Sequence, residues 1–205
     1  DAIQRFHDGA KIHVLTTPAF VSLFGHSPDI DITSFPRHGW LNNGQIIRWI
    51  RRGAFDRIYD LQSSNRTALW CALSGAPDRV GNHNRYPYTH HPLTRWHGQC
   101  HIFERMLEVL RAGGISDVSR QPFLPYKSAE ENRIKKWLAD HGCKQNQFVL
   151  LHAGASAKRP DKVWPHFDRL ALALANRGLE VIWIGGESDR ERNSRLAALT
   201  GIDAT

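Results

Sequence analysis

Residues 148–165 read FVLLHAGASAKRPDKVWP, and the order of residue types in this stretch decides the fold class. Residues 148–152 form a short, mainly apolar run, which is typical of a buried strand. Small residues follow it, and Pro165 is a residue type that suits the first turn of a helix. The stretch therefore predicts a strand, a loop and a helix in succession, with the helix extending over Trp164–Asn176.

The same alternation continues outward from this stretch in both directions. We predict further strands at Lys11–Thr16, Asp29–Thr33, Phe55–Leu61, Asp78–Gly81 and Glu180–Gly185. We predict further helices at Gly44–Arg52, Ser64–Leu73, Gln99–Ala112, Ser128–His141 and Ser188–Leu199. Strands that alternate with helices form parallel sheets that the helices cover. The chain is therefore predicted to be of the α/β class, with two doubly wound, Rossmann-like domains.

The spacing of apolar residues indicates the buried faces of two of these helices. The first carries its apolar side at Ile46, Ile47 and Ile50. The second carries it at Ile102, Met106, Val109 and Leu110.

The polar-faced helix at Ser128–His141 lies between the two α/β regions, and Ser128 and Glu131 have the spacing of a capping box. We predict a first domain at residues 1–126, a linker helix at 127–145 and a second domain at 146–205. The chain starts at Asp1 without an initiator Met and stops in what would be the next strand. We therefore expect a fragment whose second domain is incomplete.

The composition is that of a globular protein, with 41% hydrophobic and 23% charged residues. No apolar run approaches the roughly 20 residues that span a bilayer, and no signal peptide is recognisable. The three cysteines, Cys71, Cys100 and Cys143, are widely spaced and form no C-x-x-C pair. This pattern argues against a disulfide framework and favours a cytoplasmic protein.

The net charge of +7 suggests an anionic partner. Nucleic acid, an anionic membrane surface and a phosphorylated substrate all fit this charge, and so does a basic surface that binds nothing. The basic residues are scattered along the chain rather than gathered in one tail, which argues against nucleic acid.

The loop at residues 153–165 has the features of a phosphate site. Gly154 and Ala155 allow close approach of backbone N–H groups, and Ser156 adds a hydroxyl donor. Positive charge follows at Lys158, Arg159 and Lys162, and so does a helix N-terminus, and both favour an anion. The pattern is not a P-loop, because G-x-x-x-x-G-K-[ST] is absent. These generic features fit a phosphate site and a basic surface loop equally well.

An ordered set of short motifs resembles glycosyltransferase family 9, the lipopolysaccharide heptosyltransferases. The second half carries G-A-S at 154–156, K-x-W-P at 162–165 and a strand that ends in G-G at 185–186. The first half carries AKIHVLTT at 10–17, DLQSSNR at 60–66 and HIFER at 101–105. Together these motifs cover nearly the whole chain in the order that the family has.

The resemblance implies a GT-B architecture and an inverting transfer of a heptose or related sugar, with ADP-heptose as the donor. The acceptor would be an anionic glycolipid, the lipopolysaccharide core precursor, reached by peripheral contact with the inner face of the cytoplasmic membrane. The first domain would bind this acceptor and the second the nucleotide-sugar. No cofactor, metal or nucleic acid is implied. The alternative is a non-catalytic Rossmann module that binds nucleotides or anions.

On the donor side, the resemblance places Gly154, Ala155, Ser156 and Lys162 at the nucleotide-sugar. Ser156 and Lys162 would contact the diphosphate, although a solvated surface lysine is the alternative for Lys162. The ribose contact would come from Asp189 or from Glu187. Both could instead be acidic residues at a helix N-terminus.

On the acceptor side, Arg66 and Arg85 would meet phosphates or sugar rings, although Arg66 fits a salt bridge on a helix face equally well. The histidines at 83, 90, 91 and 97 match no usual metal-ligand spacing. The family's catalytic base is an Asp that would lie before Asp1, so the catalytic residue of this chain is left unassigned.

Overall fold

The computed structural model describes residues 2–24, 29–36, 40–82, 86–93, 100–121, 124–156 and 159–205, with only the backbone at 40 and 41. Within these ranges the chain divides into two compact units, residues 1–126 and 127–205. The helix that we predicted as a linker is grouped with the second unit. The three-part division into 1–126, 127–145 and 146–205 stays a prediction.

The first unit contains parallel strands and the helices that connect them. Its helices are α1 (Ala2–Phe6), α2 (Val21–Phe24), α3 (Trp40–Gly53), α4 (Asn65–Leu73) and α5 (Ile102–Ala112). Its strands are β1 (Ile12–Thr16), β2 (Ile30–Ser34), β3 (Arg57–Tyr59) and β4 (Asp78–Val80). Strand β1 pairs in parallel with β2, and β3 pairs in parallel with β4. The predicted βαβ pattern is confirmed in this unit.

The second unit holds a parallel sheet in the order β5-β6-β7. Its strands are β5 (Phe148–Leu151), β6 (Glu180–Trp183) and β7 (Ile202–Asp203), and its helices are α6 (Ser128–Asp140), α7 (Phe167–Ala175) and α8 (Arg190–Ala197). Strand β7 lies where the sequence predicted the next strand. Because all three strands run in parallel, their carboxyl ends meet at one edge of the sheet.

Buried apolar side chains hold that edge in place. Leu151, Ala153, Ala171, Val181 and Trp183 form the core between the sheet and α7. The Trp183 indole N–H donates a hydrogen bond of 2.9 Å to the Thr200 carbonyl, so its one polar atom is satisfied. The core therefore ends directly beneath the loops that follow β5 and β6.

Helix boundaries and one helix face differ from the sequence predictions. Helix α7 begins at Phe167, so Pro165 lies ahead of the helix and not in its first turn. At α6 the capping residue is Lys127, whose N–H donates to the Glu130 carboxylate, and not Ser128 with Glu131. In α5, Ile102 is 51% exposed and Leu107 takes its place in the core beside Val109 and Leu110.

Of the predicted face of α3, Ile46 and Ile50 are buried, while Ile47 is only partly buried. Within the described ranges, no helix is long and apolar enough to span a bilayer.

Candidate functional site

The loop after β5 turns back on itself through three backbone hydrogen bonds. The Arg159 N–H donates to the Ser156 carbonyl at 2.8 Å, the Lys162 N–H to the Arg159 carbonyl at 3.1 Å and the Val163 N–H to the Pro160 carbonyl at 3.1 Å. Residues 160–162 form one turn of 3-10 helix. Lys158, one of the loop's predicted cations, lies outside the described residues. Lys162 therefore lies in the folded second part of the loop that begins with the small residues 154–156.

The two described cations of this loop differ in their partners. The Arg159 guanidinium pairs with the Asp161 carboxylate at 2.6 Å, and this hydrogen bond holds the pKa of Asp161 below its usual value. Lys162 is exposed and has no carboxylate within 4.0 Å among the residues that the structure describes. Among the described cations of the loop, Lys162 is therefore the one whose charge is available to an anionic ligand.

The N-terminus of α7 contributes less to an anion site than the sequence predicted. Its capping residue is His166, which makes no side-chain capping bond, and Asp168 lies in the first turn. An acidic side chain in the first turn already interacts with the helix dipole. Among the described residues of this loop, positive potential therefore depends mainly on the Lys162 side chain.

The two acidic candidates of the loop after β6, Glu187 and Asp189, lie in different environments. Glu187 is exposed and pairs with Arg190 at 2.7 Å, which lowers the Glu187 pKa. Asp189 is only 7% exposed, and its Oδ2 accepts a hydrogen bond of 3.1 Å from the Gly186 N–H. The structure therefore separates a surface carboxylate from an internal one, a distinction that the sequence did not provide.

In the first unit, a groove of about 290 Å³ opens at the carboxyl ends of β1, β2 and β3. Its polar lining residues are Thr16, Thr17, Asn42, Asn43, Gln62 and Arg66. The Arg66 guanidinium lies 5.2 Å from the ring centroid of Trp70, whose indole N–H donates to the Asn43 side chain at 3.1 Å. The sequence indicated Arg66 but not Trp70 or Asn43, because Trp70 and Asn43 lie far from β1 along the chain.

A buried carboxylate shapes the turn that carries Gln62 into this groove. Asp60 follows β3 directly, and its Oδ1 accepts hydrogen bonds from the N–H groups of Gln62 at 3.1 Å and Ser63 at 2.8 Å. The Tyr88 hydroxyl donates a hydrogen bond to its Oδ2. Burial and the Asp60 charge raise the pKa of the nearby Cys71 thiol to about 12, so this thiol stays protonated at neutral pH.

The remaining predicted residues lie partly outside the described ranges. Arg85, His83 and His97 are in that group. Among the described residues, the Thr89 hydroxyl lies 3.0 Å from His90 Nδ1, and the Pro92 carbonyl lies 2.9 Å from His91 Nδ1. No group of three His, Cys, Asp or Glu side chains in the described part of the chain is arranged to hold a metal ion.

Residues 44–205 match the family model of glycosyltransferase family 9 (heptosyltransferase). The chain belongs to this family. The family match covers both the groove-lining residues from position 44 onward and the whole loop after β5. No curated protein sequence matches the chain significantly.

Solved structures show the same family 9 fold. A glycosyl transferase family 9 protein from Veillonella parvula DSM 2008 superposes with a TM-score of 0.79 at 19% identity, over 100% of this chain and 62% of that one. ADP-heptose lps heptosyltransferase II from E. coli gives 0.66 at 19% identity, over 98% and 65%. E. coli heptosyltransferase WaaC with ADP gives 0.64 at 18% identity, over 98% and 67%.

These likenesses confirm the predicted fold class, an α/β fold of the GT-B heptosyltransferase type. The chain spans 62% of the length of the Veillonella structure that it matches.

Proposed function

We propose that the protein transfers a heptose, or a related sugar, from ADP-heptose to a lipopolysaccharide core acceptor with inversion at the anomeric carbon. Family membership supports sugar transfer, and one similar structure contains ADP while another contains ADP-2-deoxy-2-fluoro heptose. The observation that carries the proposal is the loop after β5 at the carboxyl edge of a parallel sheet. There Lys162, with no carboxylate partner among the described residues, follows the small residues 154–156. Ligands of such sheets bind at this edge.

On the donor side, Gly154 and Ala155 would bring backbone N–H groups close to the diphosphate, and Ser156 would add its hydroxyl. Lys162 would hold the diphosphate and offset the charge that builds on the departing ADP. Such stabilisation of developing charge is the main contribution that a fixed cation can make to this transfer. This stabilisation by Lys162 would require no metal ion.

On the acceptor side, Arg66 is the candidate for a phosphate of the glycolipid. Its position in the groove at the ends of β1, β2 and β3 supports this role, and the neighbouring Trp70 offers an aromatic surface of the kind that sugar rings contact. Arg85 is a further candidate from the sequence alone. No described residue is assigned as the catalytic base.

The decisive experiment incubates the full-length protein with ADP-heptose and a lipopolysaccharide core acceptor, and follows the release of ADP. We expect release that depends on the presence of both substrates. Tight ADP binding without any release would instead identify a non-catalytic nucleotide-binding module. Release of ADP with a core acceptor that lacks its phosphates, at an unchanged rate, would argue against the role of Arg66.

Peripheral contact with the inner face of the cytoplasmic membrane is part of the proposal, because the acceptor is a lipid. The supporting feature is one face of α3, where Arg48, Arg51 and Arg52 are exposed at helical spacing. Each arginine close to an anionic membrane contributes about 1 kcal/mol to binding at modest ionic strength.

Changing these three arginines to Gln is expected to weaken binding to vesicles of phosphatidylcholine and phosphatidylglycerol by at least roughly tenfold. Co-sedimentation measures this binding. The matched control replaces three cations of α6 with Gln, namely Arg133, Lys135 and Lys136. Equal losses in the two triple variants would show that α3 is not the membrane-binding face.

A further inference from the structure

Two glycines of the second unit have no room for a side chain because Asp189 fills the space beside them. A Cβ added at Gly154 would collide with Asp189 Oδ1 and lie 2.6 Å from its Cγ. A Cβ added at Gly185 would lie 2.8 Å from the Asp189 Cβ. Gly154 belongs to the loop after β5, and Gly185 to the loop after β6. One side chain therefore packs against both loops that border the proposed nucleotide site.

The polar atoms of Asp189 are engaged within the protein. Its Oδ2 accepts the hydrogen bond from the Gly186 N–H and lies 3.7 Å from His152 Nε2, at the end of β5. Its Oδ1 accepts a hydrogen bond of 3.3 Å from the Arg192 guanidinium. The side chain is about 10% exposed. These contacts connect the end of β5, the turn after β6 and the first turn of α8.

A second buried polar side chain, that of Asn193, also contacts this region. Asn193 is fully buried, and its Nδ2 donates a hydrogen bond of 2.6 Å to the Thr205 hydroxyl, beyond the end of β7. An added Cβ at Gly185 would also lie 3.0 Å from this Nδ2. The ends of all three strands are thus connected through Asp189 and Asn193.

We propose that Asp189 is a positioning residue, which fixes the Gly154 loop against the Gly185–Gly186 turn. This inference rests on the proposed function, because it concerns the same nucleotide site. Through its contacts with Gly186 and Arg192 and its packing against Gly154, the Asp189 carboxylate sets the shape of the two loops that border the nucleotide.

A comparison of ADP with its 2′-deoxy and 3′-deoxy analogues distinguishes this positioning role from a direct contact with a ribose hydroxyl. Calorimetry would measure the Kd of each ligand for the wild type, for Asp189→Asn and for Glu191→Gln as the exposed control. We expect Asp189→Asn to weaken ADP and both analogues by the same factor, on the order of tenfold, since it perturbs the loops and not one hydroxyl. If Asp189→Asn weakened ADP but not one of the deoxy analogues, the proposal would be overturned. Such non-additivity would show that the carboxylate contacts the hydroxyl that this analogue lacks.

A double-mutant cycle of thermal stability, measured without ligand, tests the packing contact independently. Gly154→Ala is expected to lower the Tm clearly in the wild type, and much less in an Asp189→Ala background, where the colliding carboxylate is gone. Gly186→Ala is the matched control, because a Cβ there has nothing within 4 Å. An equal fall in Tm for Gly154→Ala in both backgrounds would overturn the proposed contact.

The two experiments separate this inference from the proposed function. If the wild type bound no ADP, the proposed function would fail, and the stability cycle would still decide whether Asp189 fixes the Gly154 loop. If the wild type bound ADP and Asp189→Asn bound it equally well, the positioning role would fail while the nucleotide site stood.

Discussion

Replacement of Lys162 by Ala is expected to weaken ADP binding by between about 10- and 100-fold. A hydrogen bond from a charged donor contributes about 1.5–3 kcal/mol, and Lys162 has no described carboxylate that competes with a phosphate for it. Titration calorimetry of the full-length protein measures the change directly. The loss should shrink as ionic strength rises, because Lys162 is exposed and its charge is screened by salt.

Two other cations provide the controls for this prediction. Arg159→Ala should have a smaller effect, because the Arg159 charge is already offset by Asp161 within the same loop. Lys144→Ala removes an exposed charge that lies before β5 and should leave ADP affinity unchanged. Equal ADP affinity of the wild type and Lys162→Ala would contradict the assignment of the nucleotide site to this loop.

The sheet cores could be predicted because their sequence signal is local. Strands β5 and β6 are short apolar runs between loops of small or polar residues, and no competing helical period overlaps them. The ends of helices are harder, because they depend on which backbone group finds a capping partner. At α6 the Glu130 carboxylate reaches the Lys127 N–H, although the sequence offered Ser128 and Glu131 an equally suitable spacing.

Helix faces near an end are also poorly determined by periodicity. Ile102 has the correct spacing for the buried face of α5, yet it is half exposed in the first turn while Leu107 is buried. The neighbours that cover a helix end belong to other elements, and the sequence pattern does not name them. The same reason explains why Glu187 and Asp189 looked equivalent in sequence, since only packing decides that Asp189 turns inward.

The groove of the first unit shows a different limit of sequence reasoning. Its lining comes from residues between positions 15 and 70, contributed by three strand ends, two α-helices and the 3-10 turn that contains Phe20. No short motif joins Thr16, Asn43 and Trp70. Only the parallel pairing of the strands, which aligns their carboxyl ends, brings such residues together. The loop after β5 could be predicted from the sequence because all its residues are consecutive.

Replacement of Asp60 by Ala is expected to lower the free energy of unfolding by about 3–5 kcal/mol. The carboxylate is buried and accepts hydrogen bonds from two backbone N–H groups, of Gln62 and Ser63, and from the Tyr88 hydroxyl. The Tyr88 hydroxyl is buried and the two N–H groups are partly buried, and a buried donor that loses its partner costs about 1–3 kcal/mol. Ser63 adopts a positive φ of 54°, so the turn also depends on these bonds to hold a conformation that non-glycine residues disfavour. Chemical denaturation followed by circular dichroism measures the loss.

Two variants separate the backbone contacts from the tyrosine contact. Tyr88→Phe removes only one donor and should cost about 1–2 kcal/mol, while Asp60→Asn keeps an oxygen for Gln62 and Ser63 and should fall between the two. Asp60→Ala should also reduce the effect of Arg66 on the acceptor, because the turn that precedes α4 loses its shape. If Asp60→Ala destabilised the protein no more than Tyr88→Phe, the two backbone hydrogen bonds would contribute nothing. The turn would then be held by the Ser64 and Thr67 side chains at the start of α4.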